Sequence, residues 1–208
     1  MSVKPQTLQL LPLSVRAELG SANADERIVD VTWSTGATVL RRDPWTGQRY
    51  YERLSMDPKH IRLDRMNAGA PVLDTHSAWS ISDVLGATVE RTARVENGVG
   101  ASRLQFSRRA SVSDIWQDVV DKIIRFVSIG YLVFAYRDVT EKGAEIKTFE
   151  AIDWEPYETS MVPMPADAGA GTRDRDKLAH PCVVLTDGRS ADDADRMRRF
   201  RLALARAV

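Results

Sequence analysis

Residues 84–106 most narrow what this chain can fold into. Val84–Val95 carries β-formers, Asn97-Gly98 is a strong hairpin turn, and Ala101–Phe106 returns. On the returning strand Leu104 and Phe106 point one way, and Arg103 and Gln105 the other. Other short segments repeat that logic. Val29, Val31 and Trp33 alternate with Asp30 and Thr32; Gly36 breaks the run, and Ala37–Leu40 reads as its partner. Tyr50–Leu54, Val72-Leu73, Tyr131–Tyr136, Ile146–Ile152 and Tyr157–Val162 read as further strands. One clear helix, Ser111–Phe126, carries Ile115, Val119, Ile123 and Phe126 at helical spacing. Ser111 or Ser113 is placed to cap it, with Asp114 and Asp118 near its positive end.

The organisation around these elements predicts three parts. Residues 1–28 form a polar N-terminal arm, partly disordered, and 29–164 form one domain. Residues 165–208 form a flexible small-residue linker and a C-terminal tail. Lysine plus arginine and aspartate plus glutamate balance at 29 each, which argues against a protein built to coat nucleic acid. The tail hides a local basic excess inside that balance. Cys182 is the single cysteine and His60, His76 and His180 the only histidines, so neither a disulfide nor a zinc cluster is expected, and no cofactor. The longest apolar runs fall far short of a membrane span, and no secretory h-region is visible. The expectation is a soluble intracellular protein.

Familiar chemical motifs are absent: no phosphate loop, no Gly-x-Ser-x-Gly elbow and no His-Glu-x-x-His helix. Two small segments remain, Leu73-Asp74-Thr75-His76-Ser77 and Val127-Ser128-Ile129-Gly130-Tyr131. A serine hydroxyl needs an adjacent base to become a nucleophile, and a neutral imidazole suits that task. Both residues also have plainer readings. Ser128 fits a small residue at a helix-to-strand junction, and His76 fits a loop histidine bonded to Asp74.

The order of segments resembles the HK97-type prohead proteases of tailed bacteriophages. The resemblance rests on Val72-Leu73-Asp74-Thr75-His76, on Val84-Leu85-Gly86-Ala87-Thr88-Val89 and on Ser102–Phe106. It continues through the helix into Ser128-Ile129-Gly130-Tyr131, and ends in Trp154–Ala166. It implies an α+β, mainly β fold: a compact β-barrel with surrounding helices, like the herpesvirus assembly proteases related to the family. It further implies a serine endopeptidase with Ser128 as nucleophile and His76 as general base. A third residue should orient the imidazole. Glu158 is favoured, with Asp153, Glu155 and Asp74 open beside it; neither His60 nor His180 lies in a matching segment. The implied partners are the phage scaffold protein, the major capsid protein and the protease itself, the last by self-cleavage within 165–180 or as a homo-oligomer. Nucleic acid and membrane are not among them. The implied place of action is the assembling prohead in the host bacterial cytoplasm. The alternative is a non-catalytic capsid-assembly or scaffolding protein on the same fold.

Overall fold

The computed structural model describes residues 6–10, 13–43, 46–163 and 180–185. They form β1 (Gln6–Leu10), β2 (Leu13–Asn23), β3 (Ile28–Ser34), β4 (Val39–Arg42), β5 (Arg49–Leu54) and a four-residue helix α1 (Asp64–Asn67). Then follow β6 (Pro71–Asp74), β7 (Val84–Thr88), β8 (Arg94–Glu96), β9 (Val99–Phe106), α2 (Ala110–Val120), β10 (Phe126–Asp138), β11 (Thr148–Val162) and β12 (His180–Leu185). The chain is mainly β.

Pairing returns on itself. β10, β2, β3, β9, β7, β6 and β11 each pair with the next, and β11 pairs with β10, so the sheet curls into a closed cycle. β5 and β4 extend it from β11, while β12 and β1 extend it from β10. β1, β2 and β12 therefore bring backbone from the 1–28 and 165–208 segments into the same sheet as residues 29–164. The expected self-cleavage region, 165–180, lies outside the described residues apart from His180.

The Asn97-Gly98 hairpin forms as expected. Both residues take positive φ and join β8 to β9. Gly86 answers a packing demand: a Cβ there would run into the carbonyl oxygen of Gln105 on β9. β3 buries Val29, Val31 and Trp33, and β9 buries Leu104 and Phe106. Trp33 and Trp154 meet edge to face at 6.2 Å, and Tyr131 meets Trp154 at 5.7 Å. These rings form the centre of the core.

Four expectations are corrected. Val39–Arg42 pairs with β5, not with β3. The helix stops at Val120, because Lys122 adopts φ 59 and closes the end. The N–H of Ile123 reaches the carbonyl of Asp118, and that of Lys122 reaches Val119, which is a Schellman closure. The buried stripe of α2 is consequently Val112, Trp116 and Val119, while Ile123 lies past the helix and is 72% exposed. The N-cap is Arg109, with no side-chain cap; Ser111 and Ser113 already lie inside the helix. Finally, Thr148–Ile152 and Tyr157–Val162 are parts of one strand, β11, and Ile146 and Lys147 lie before it. Pro156, which has no N–H to donate, sits opposite Tyr131 at a register shift that leaves Tyr157 as the extra residue.

Candidate functional site

β10 and β11 form the floor of the site. Val127, Ile129, Tyr131 and Val133 point into the hydrophobic core. By strand alternation Ser128 and Gly130 face the opposite side. Ser128 is in register with Ser160, and Gly130 with Glu158. Directly paired residues share a face. Ser128, Gly130, Glu158 and Ser160 therefore lie together on one patch of sheet. Ser128 is not at a helix-to-strand junction, as the sequence reading placed it, but inside β10.

β6 brings the histidine to this patch. It runs parallel to β11, with Leu73 in register with Ser160 and Asp74 with Met161. The chain then reverses. The N–H of Ser77 bonds the carbonyl of Asp74 at 2.7 Å, with Thr75 at φ 46 and His76 at φ 62. Two consecutive non-glycine residues in the left-handed region, one of them β-branched, are strained at about 1–3 kcal/mol each. The turn carries the imidazole back over the sheet, where His76 Nδ1 lies 2.6 Å from Glu158 Oε1.

Glu158 is held from both oxygens. Ser160 Oγ donates to Oε2 at 2.6 Å, and the backbone N–H of His76 donates to Ser160 Oγ at 3.0 Å. Glu158 is 2% exposed and Ser160 fully buried. With the Nδ1 proton directed at the carboxylate, the lone pair of His76 is left on Nε2, the tautomer a general base requires. Gly130 makes the room. A Cβ there would clash with Glu158 Oε1 and lie 2.8 Å from Cζ and Oη of Tyr157. The glycine of the Ser128-x-Gly130 motif thus serves space, not backbone conformation.

The segment after His76 is also fixed. Asp83 accepts from Ser77 Oγ at 2.7 Å, from the Trp79 N–H at 2.9 Å and from the Ser80 N–H at 3.0 Å. The hydroxyl of Ser77 first, with the Ser80 N–H next, holds its carboxyl below the ordinary aspartate range. Trp79 and Ile81 project from this loop, 73% and 84% exposed.

The other sequence candidates are placed elsewhere. Asp153 is buried and takes a two-pronged bond from Arg62, at 2.7 Å on each oxygen. Glu155 pairs with Arg65 at 3.4 Å, and Asp74 is exposed. His60 Nδ1 contacts Ser55 Oγ at 2.7 Å within its own turn, a second serine–histidine contact that the sequence reading missed. The structure thus joins His76 to Glu158 and sets Ser128 on the same face. It does not bond Ser128 to His76: the Ser128 hydroxyl is fully buried and has no hydrogen-bond partner among the described residues. Ser160 was also missed, since its importance comes only from lying between two other residues. Among the described residues no cluster of three or more His, Cys, Asp or Glu side chains could hold a metal, and no helix is long and apolar enough to cross a membrane.

Part of the chain is related in sequence to a phage capsid protein. Over 127 residues, 60% of this chain, it is 34% identical to the major capsid protein of Halomonas phage phiHAP-1. The match covers 21% of that protein, so the chain corresponds to about a fifth of its relative. No protein-family model matches the chain, and no solved structure matches it.

Proposed function

We propose that the protein is a serine endopeptidase that cleaves scaffold or major capsid protein, and itself, during prohead maturation, on a barrel of the herpesvirus-assemblin kind. The observation that carries this reading is the 2.6 Å contact between His76 and Glu158, beside Ser128 on one sheet face. The strained turn that delivers His76 supports it, since such backbone is retained mainly where a site over-determines it.

In this mechanism Ser128 Oγ attacks the peptide carbonyl carbon while His76 Nε2 takes its proton. The tetrahedral adduct collapses, the C–N bond breaks, and Nε2 returns the proton to the leaving amine. Water, deprotonated by the same nitrogen, then cleaves the ester and restores Ser128. Glu158 holds the ring through Nδ1 and stabilises the imidazolium formed in each half-reaction. Attack requires the groups lying over Ser128 to part, because its hydroxyl is sealed in the resting protein. The ring of Tyr157 lies on this face, beside Gly130.

A second reading is favoured by the comparison: a non-catalytic capsid-assembly or scaffolding protein, the matched relative being named as a capsid protein. The sealed Ser128 favours it as well. A fluorophosphonate probe separates the two. The protease reading expects one adduct on Ser128, absent in Ser128→Ala and strongly slowed in His76→Ala. Absence of any adduct, with capsid partner present, supports the structural role.

A further inference from the structure

We infer that Ser160 is a positioning residue of the site, acting on His76 from two directions. Its hydroxyl proton fixes Glu158 Oε2, so that Oε1 is the oxygen turned toward His76 Nδ1. Its lone pair fixes the backbone N–H of His76, and with it the left-handed turn that carries the ring. One hydroxyl thereby ties acid and base together through their side chain and main chain. Ser160 can do this because it occupies the register position between Ser128 on β10 and Leu73 on β6. It touches neither the reacting bond nor the Nε2 nitrogen, and so acts only through its neighbours.

The chemistry selects a hydroxyl at this position. The site needs one donor, for a carboxylate oxygen, and one acceptor, for an amide N–H. Serine supplies both from a single atom, whereas alanine supplies neither. Without it, a buried carboxylate oxygen and a backbone N–H lose their partner together. The carboxylate is then free to rotate, and the turn at 75–76 loses its tether to β11.

This inference rests on the endopeptidase reading, and its test is chosen to separate the two. The readout is the Nδ1 proton of His76 in protein labelled with 15N-histidine, where a proton shared with a carboxylate resonates far downfield. With three histidines the assignment is made by His76→Gln. Wild type should show the signal, Ser160→Ala should lose it or move it upfield, and Ser160→Thr, which keeps the hydroxyl, should restore it. Cleavage of a capsid-derived substrate should fall ~10²-fold in kcat for Ser160→Ala with KM little changed, the scale expected when a catalytic group is misplaced by about 1 Å. Should Ser160→Ala fail to fold, Ser160→Cys takes its place, filling the same space with a weak donor.

An unchanged signal in the folded Ala or Cys variant overturns the inference, as does Ser160→Thr behaving like Ser160→Ala. If the signal follows the hydroxyl while wild type cleaves nothing, the tether stands and the protease reading falls.

Discussion

Gly130→Ala is the smallest change that tests the site as a built object. Gly130 does not have a positive φ, so alanine fits its backbone, and the effect comes from space alone. The added methyl would lie 2.8 Å from Tyr157 Cζ and Oη, against an ordinary contact of 3.4 Å or more, and closer still to Glu158 Oε1. Overpacking of this kind costs about 1–3 kcal/mol. Glu158 is buried and cannot leave for solvent without disturbing β11, whereas the half-buried Tyr157 ring can swing outward. The cheapest relief is for the carboxylate to retreat by on the order of 1 Å, which opens the 2.6 Å contact to His76 beyond hydrogen-bond range. A misplacement of that size costs ~10²-fold in rate, and full loss of the acid ~10⁴-fold.

Urea unfolding, the His76 Nδ1 proton signal and kcat/KM on a capsid-derived substrate measure the three consequences. Glu158→Asp draws the carboxylate back by one methylene, so the double variant should lose less than the sum of the two single losses. The reasoning is refuted if folded Gly130→Ala keeps wild-type stability and the His76 signal. Strict additivity with Glu158→Asp refutes it equally.

Other substitutions probe the remaining links. Glu158→Gln should lower kcat by ~10⁴-fold with the fold retained, since the amide cannot replace a carboxylate that holds the imidazolium; a kcat within tenfold of wild type removes Glu158 from the mechanism. Arg62→Ala takes the two-pronged partner from buried Asp153 and should destabilise by about 3–5 kcal/mol in chemical denaturation, more than Arg65→Ala, whose pair with Glu155 is more exposed. Trp116→Ala should cost about 3–5 kcal/mol, because α2 is held to the core through Trp116 against Phe106, while Ile123→Ala should change stability little. Asp83, whose folded pKa is depressed, orders the 77–83 loop above the ordinary aspartate value of 3.8 and releases it as pH falls through the lower folded value. Trp79 fluorescence should report that release, and Asp83→Asn should show the loosened loop already at neutral pH.

Local chemistry was legible where one segment carries its own instruction. Asn97-Gly98 announces its turn because positive φ at both positions needs those residues. His76 stood out because the chain has only three histidines, and Ser128 because its segment falls in the order that resembles the prohead proteases. The end of α2 was hidden for the opposite reason. Lys122 adopts the left-handed closing conformation usually supplied by glycine, so the apolar spacing through Ile123 and Phe126 reads as continuing helix. β11 reads as two strands because Pro156 interrupts it, and only the register shift opposite Tyr131 shows how a long strand accommodates proline. Glu158 is favoured already by its segment, but that arginines hold its rivals Asp153 and Glu155 appears only in the structure. Ser160 carries no signal of its own, since its role exists only once β6, β10 and β11 lie side by side.

The most direct measurement is co-expression of the chain with candidate phage major capsid and scaffold proteins, followed by intact-mass analysis. Discrete truncation products should appear with wild type and vanish with Ser128→Ala, while that variant keeps the wild-type unfolding midpoint. Unprocessed partners with wild type, or the same products with Ser128→Ala, would contradict the account.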